Sequence, residues 1–404
     1  MVEQALSDMK ILDLSWYIAG PYCAKYFADF GADVLKIEKP GGGDPARGMG
    51  PFYKDDPHPE KSGTFLLLNT NKKGITLNLK SSTGKKIFKE LVKDADMVVE
   101  SFRPHVMPSL GLSYQELEKI NPKLVMVSIS NFGQTGPYRE YLSSELVLNG
   151  MGHAMYGCGL ADREPAKLGG TILEFQSGTV AAQIAMVAFY AARYQGVSQH
   201  VDVSIMETEL GSVDRRHPML VISQYWGEKT SRGELTAGMG FPFGTFPCKD
   251  GFFGLAGGMA WFGRTCNAIG VPELAGDPYW DGPSQFNMER RDEFYARYWY
   301  PWVTEHTKRE CFVACQDAGV LCAPLNTVED LFWEPHFEKR DYWIEVDHPY
   351  TGKLKYPGHL IKSEETPWLM RRRAPLLGEH NAEIYSELGY SKQDMVRLRE
   401  LDVI

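Results

Sequence analysis

Three consecutive segments near the start constrain the fold more than anything else in the chain: MKILDL (Met9 to Leu14), IAGPYCAKYFADF (Ile18 to Phe30) and ADVLKIE (Ala32 to Glu38). The first and third are short apolar runs that read as strands. The middle one has helical spacing and is entered through Gly20-Pro21, where proline suits a first helical turn. Two strands joined by a helix within about thirty residues form a parallel βαβ unit, and a parallel sheet needs helices on both faces. The fold is expected to be α/β.

The order continues in kind. Thr64 to Leu68 and Gly74 to Leu79 read as strands, TGKKIFKELVKDA as an amphipathic helix, and Met97 to Glu100 as a strand. Tyr114 to Ile120 reads as a helix, and Leu124 to Ser130 as a strand ending in Asn131-Phe132-Gly133. Ligands of such sheets gather at the carboxyl ends of the strands. That singles out Ser15 to Ile18, Glu38 to Gly43, Ser101 to Arg103 and Asn131 to Gly136. The loop KPGGGDPARGMGPF after the second strand admits two readings, a backbone approach to a diphosphate or a mobile surface turn; its spacing is neither that of a P-loop nor G-x-G-x-x-G.

With 404 residues, 43% of them hydrophobic, the chain can bury two or three domains. Its formal charge of −9 argues against broad nucleic-acid binding. The start has no signal pattern, and no run approaches the roughly 18 uninterrupted apolar residues of a membrane span, so a cytoplasmic protein without a membrane partner is expected. Seven scattered cysteines without a C-x-x-C pair point to buried thiols, Cys311 and Cys315 sharing a helical face. Ten histidines form no metal spacing, so no metal is expected.

Further on, Leu168 to Met206 places a glycine pair, a single acid (Glu174) in a short apolar run, a small-residue helix and the strand VDVSI in succession. Tyr225 to Pro247 reads as linker and loop. Thr245 to Leu255 reads as a hairpin around Lys249-Asp250-Gly251, followed by helices at 261–269, 290–306 and 311–319 and a strand then helix in VLCAPLNTVEDLF. Trp280, Trp299, Trp302 and Trp333 read as core or interface. Tyr342 to Ile361 is extended, and a helix over Asn381 to Leu388 ends the chain. The expected domains are 1–215, a large α/β domain; 216–244, a linker; 245–335, a small α+β domain; and 336–404, a closing segment with a helix.

Three blocks, LDLSWYIAGPYCAKYFADFGADVLKIEKPGGGD, NKKGITLNLKSSTGKKIFKELVKDADMVVESFRP and VSISNFGQTGPY, with RRRAPLLGEHNAEIYSELGY at the far end, resemble successive blocks of the class III CoA-transferases. Formyl-CoA, carnitine, phenyllactate and benzylsuccinate CoA-transferases belong to that family, and acyl-CoA racemases share its fold. The resemblance implies a large Rossmann-like open parallel-sheet domain that binds CoA (1–215), a smaller α+β domain, a return of 336–404 so that its helix packs on the large domain, and an interlocked dimer. It implies coenzyme A or acyl-CoA as substrate, with no metal and no flavin, and a second, carboxylic acid substrate. It carries nucleotide contacts onto Ile18, Ala19, Lys39, Ser101, Phe102 and Arg103. Ser109 stands where many relatives have arginine, Ser144-Glu145 where they have a tyrosine-aspartate step, and Glu174 in the column of the catalytic aspartate. Gly238-Met239-Gly240 is the match to a glycine-rich lid, with an ordinary interdomain linker as the alternative.

A carboxylate nucleophile moves CoA between acids by way of an acyl anhydride and an enzyme thioester. Glutamate keeps the carboxylate but displaces it by about 1 Å, a shift that can cost about a hundredfold in rate. The three departures together favour a specialised or non-catalytic subunit paired with a sister chain that carries the aspartate. Benzylsuccinate CoA-transferase, a family member built from two unlike chains acting with succinyl-CoA, is the arrangement this implies. The alternatives are a self-sufficient transferase or homodimer using Glu174, a non-catalytic scaffold subunit, or a racemase with His153 and Glu174 as opposed bases.

Overall fold

The structure is a computed structural model that describes residues 4–153, 155–160, 162–212, 216–227 and 239–404. The chain divides into two compact units, one of residues 1–156, 167–227 and 341–404, the other of residues 157–166 and 228–340.

The first unit is built on six parallel strands: β1 (Lys10–Asp13), β2 (Asp33–Glu38), β3 (Lys73–Thr76), β4 (Met97–Glu100), β5 (Val125–Ser130) and β6 (His200–Ser204). They lie in the order β3-β2-β1-β4-β5-β6. Each strand pairs in parallel with its neighbours, beginning with Lys10 opposite Asp33 and Ile11 opposite Met97. The strand order therefore reverses between β1 and β4, which leaves a crevice outside their carboxyl ends. The helices that follow in chain order are α1 (Ala19–Asp29), α2 (Gly63–Leu68), α3 (Ser82–Val92), α4 (Val106–Ser109), α5 (Tyr114–Glu118), α6 (Glu145–Met151), α7 (Ile172–Tyr190), α8 (Ile205–Ser212) and α9 (Arg216–Trp226).

Both faces of the sheet are covered, as a parallel sheet requires. One core gathers α1 and α7 on the sheet through Cys23, Phe27, Val99, Val127, Ala181 and Ala185. The other gathers Leu35, Val98, Ile87, Phe88 and Val92 with Ile384, Tyr385 and Leu398 from the end of the chain. The segment from Asp341 onward thus belongs to the first unit. It contributes a hairpin, β10 (Trp343–His348) with β11 (Gly352–Pro357), and helices at Asn381–Glu387 and Lys392–Glu400. The second unit holds an antiparallel sheet, β7 (Phe243–Cys248), β8 (Gly251–Ala256) and β9 (Leu321–Pro324), over a core of Phe241, Phe253, Phe262, Phe294 and Trp299.

Several expectations are corrected. Thr64 to Leu68 is helical, because Ser62 accepts a hydrogen bond from the Phe65 N–H and caps the turn. Residues 216–226, expected within a linker, form α9, while 228–238, including Gly238 of the expected lid, lie outside the described residues. Residues 157–166 and 336–340 group with the second unit and not with the first. The final helix at Lys392–Glu400 was not expected, although Ser391 and Asp394 form the capping box that announces it. Trp280 and Trp299 are buried as expected of core, whereas Trp333 is 75% exposed. Ile172–Gln195 is long and apolar enough, by length and composition, to cross a membrane, a test that buried core helices also pass.

Arg47 ties this unit together. Its guanidinium is buried, paired with Glu38 and Glu60 at 2.7 Å each, and donates to the Pro375 carbonyl at 3.1 Å. Arg47→Met would leave two buried carboxylates without their cation and is expected to lower the free energy of unfolding by about 3–5 kcal/mol. Urea denaturation measures this, and a loss below about 1 kcal/mol would contradict the assignment.

Candidate functional site

The carboxyl ends of the strands open onto one cleft of about 1150 Å³ in the first unit. Its wall includes Trp16, Tyr17 and Ala19 after β1, Lys39 and Pro40 after β2, Lys80 after β3 and Ser101, Phe102 and Arg103 after β4. Asn131, Arg139, Tyr141 and Ser144 follow β5, and Glu145 and Glu174 complete it from α6 and α7. All four strand ends singled out from the sequence contribute residues.

A buried charge network shapes these loops. Asp13, fully buried at the end of β1, accepts from the Ser15 N–H at 3.0 Å and from Lys72 Nζ at 2.8 Å. Lys36, also fully buried, donates to the Ser15 carbonyl and to Asp44 at 2.7 Å. Asp44 in turn accepts from the Tyr17 N–H at 3.0 Å, holding Tyr17 at a positive φ of 64°. Burial alone would raise the Asp13 carboxyl, but Lys36 and Lys72 hold it below its ordinary value. Burial pulls Lys72 down to about 8 despite Asp13. The glycine-rich loop after β2 is therefore anchored: Glu38 accepts from the Asp44 N–H at 2.8 Å, and a Cβ on Gly43 would meet Glu38 at 2.7 Å.

At the reversal point, Ser101 Oγ accepts from the Trp16 N–H at 2.8 Å and donates to the Trp16 carbonyl at 3.2 Å, joining the loops after β1 and β4. Trp16 meets Phe102 edge-on at 5.1 Å, and Lys39 Nζ lies 5.6 Å from the Trp16 ring. Beneath them Glu100 accepts from the Phe102 N–H at 2.7 Å. Burial raises Glu100 to about 7, with the Asp202 carboxylate adding to the rise and Ser128 and the Phe102 N–H opposing it.

Glu174 sits in the first turn of α7. Gly178, one turn further, faces α1, where an added Cβ would lie 2.6 Å from the Ala19 carbonyl oxygen, so glycine lets the two helices touch there. That contact brings Glu174 to the same wall as Ala19. Burial, reinforced by the like charge of Glu145, raises Glu174 to about 7.

Of the residues expected on the nucleotide, Ala19, Lys39, Ser101, Phe102 and Arg103 line the cleft together with Glu174. Ile18 does not: its side chain is buried at the entry to α1. Ser109 lines the cleft with its hydroxyl turned to the Val106 carbonyl at 2.8 Å. No histidine lines it among the described residues; His153 stands elsewhere, at a φ of 74°. Sequence reasoning passed over Lys80 and Arg139. Lys80 had a signal, since it directly follows the run Gly74 to Leu79 that reads as a strand; Arg139 lies in a loop whose path no periodicity reveals. Among the described residues no group of three or more His, Cys, Asp or Glu could hold a metal ion.

CoA-transferase family III matches residues 6–381, and the chain belongs to that family. It is 33% identical to the succinyl-CoA–D-citramalate CoA-transferase of Chloroflexus aurantiacus, over 99% of this chain and 98% of that one. It is 30% identical to a subunit of the succinyl-CoA:(R)-benzylsuccinate CoA-transferase of Thauera aromatica, over 99% and 98%. A CAIB/BAIF family protein from Brucella suis has the same fold, with a TM-score of 0.84 and 28% identity over 96% of this chain and 100% of that one. The family is one of CoA-transferase enzymes, which use an acyl-CoA as substrate.

The two raised carboxyls have a thermodynamic consequence. With values near 7 against an ordinary 4.5, Glu100 and Glu174 hold more protons in the folded protein than in the unfolded chain between those limits. Stability therefore falls as pH rises through that window. Glu100→Gln is expected to flatten the fall between pH 5 and pH 8 in urea denaturation; an unchanged slope would show that Glu100 titrates normally.

Proposed function

We propose that this chain transfers CoA from succinyl-CoA to a second organic acid, with Glu174 as the attacking carboxylate. The observation that carries the reading is the placement of Glu174 in one cleft with Lys39, Lys80, Arg103 and Arg139. Those cations suit the phosphates of CoA, and the Trp16 and Phe102 rings offer apolar surface to its adenine. Succinyl-CoA as donor is supported by the names of the relatives acting on D-citramalate, benzylsuccinate and L-malate.

In this mechanism a Glu174 oxygen adds to the thioester carbonyl, the C–S bond breaks, and CoA departs as thiolate, leaving a mixed anhydride of Glu174 and the succinyl group. The thiolate then attacks the Glu174 carbonyl carbon, releasing succinate and leaving CoA as a thioester of Glu174. The acceptor carboxylate attacks that thioester and expels CoA thiolate, forming a second mixed anhydride; the thiolate then attacks its acceptor acyl carbon, giving the new acyl-CoA and releasing Glu174 as carboxylate. Only the ionised carboxyl attacks, so its raised value of about 7 makes the rate rise with pH through neutrality.

A second reading, a subunit of a hetero-oligomer whose sister chain supplies the aspartate, is supported by two relatives of 30% and 31% identity that are named as subunits. The like charge of Glu145 beside Glu174 fits it as well. Val187, Tyr190 and Tyr194, exposed along α7 and its continuation, offer apolar surface for a second chain of either kind.

The test is thioester exchange by the purified chain alone, from succinyl-CoA to D-citramalate, L-malate or benzylsuccinate. Activity is expected, with an acid limb near pH 7 and a loss of about a thousandfold or more in Glu174→Gln. Activity that survives this substitution excludes the nucleophile. Activity that appears only with a homologous chain establishes the subunit reading, and failure to bind CoA in calorimetry leaves a scaffold.

A further inference from the structure

The entry to α7 is held by side chains that do not belong to it. Thr171, its N-cap residue, makes no side-chain capping bond, so the first-turn N–H groups look elsewhere. Glu145 Oε1 reaches across from α6 and accepts from the Leu173 N–H at 3.0 Å. The turn before the helix passes through Gly170 at a φ of 71°, and its carbonyls at Leu168 and Gly170 each accept from Lys167 Nζ at 2.6 Å. The same ammonium lies 3.9 Å from Glu145 Oε1, the one lysine or arginine within ion-pair distance of that carboxylate among the described residues. The second oxygen of Glu145, Oε2, is buried with no hydrogen-bond partner among the described residues.

From this geometry we propose that Lys167 is a positioning residue for the CoA-transfer reaction: by clamping the Leu168–Gly170 turn and pairing with Glu145, it fixes where Glu174 stands and how strongly Glu145 repels it. The inference rests on the reading of Glu174 as the attacking carboxylate. Lys167 itself does not line the cleft. It acts through the turn, whose displacement would carry the start of α7 with it, and through Glu145, the neighbouring charge that bears on Glu174 beyond burial. A misplacement of about 1 Å at a nucleophile is enough to cost about a hundredfold in rate.

The test uses the full chain as wild type, Lys167→Met, Lys167→Arg, Glu145→Gln and the Lys167→Met/Glu145→Gln pair. Succinyl-CoA is the probe for exchange, and infrared difference titration against Glu174→Gln assigns the Glu174 carboxyl band without any need for activity. Lys167→Met is expected to lower kcat about tenfold or more with KM for succinyl-CoA within about twofold, and to move the Glu174 midpoint up by about one pH unit. Lys167→Arg restores both, and in the Glu145→Gln background the methionine substitution no longer moves the midpoint, as coupled sites require. A Lys167→Met enzyme with wild-type kcat and midpoint, or an arginine variant as impaired as the methionine one, overturns the proposal. Should Lys167→Met not fold, Lys167→Arg and Glu145→Gln decide alone: a Glu174 midpoint that stays unchanged in Glu145→Gln overturns it. Should Glu174→Gln retain full activity, the nucleophile reading fails, while the midpoints still decide the role of Lys167.

Discussion

The site depends on the buried charge network of Asp13, Lys36, Asp44 and Lys72. Charges withdrawn from water contribute little net stability even when well paired, yet the loss of one partner is costly. What the network supplies here is geometry. Lys36 and Asp44 together grip the Ser15 carbonyl and the Tyr17 N–H, so the chain leaving β1 is held to the chain leaving β2. The glycine-rich loop, which in isolation reads equally as a mobile turn, is tied down by Glu38 and Arg47 from beneath.

Onto this frame the reversal of strand order adds a crevice, and Ser101 closes its floor by bonding to both ends of Trp16. Aromatic rings, cations and the acids of α6 and α7 share its lining. Gly178 lets α7 approach closely enough for this, since a side chain there would collide with α1. The result is a cleft with mobile-looking sequence on a rigid, preorganised base.

Legibility of these features followed the range of the interactions behind them. The βαβ opening, the parallel sheet and the strand-end loops come from periodicity and from handedness, both local, and the resemblance to known transferases pointed to Lys39, Ser101, Phe102 and Arg103, which line the cleft. The stretch at 63–68 misled because its apolar run suits a strand as well as a helix, and only the Ser62 cap decides between them. Ile18 misled because neighbouring Ala19 faces the cleft while Ile18 turns inward. Lys167 and Glu145 carry no spacing signal at all, since they meet across more than twenty residues of chain.

By itself the sequence determined the class of fold, the presence of an acid at position 174 and the family, because each rests on residue type and local order. Tertiary structure decided which charges are paired, which acid faces which, and that Glu174 lies half-buried beside a like charge. Those properties belong to distances between segments far apart in the chain, and electrostatics in a buried site is set by such distances and by the exclusion of water.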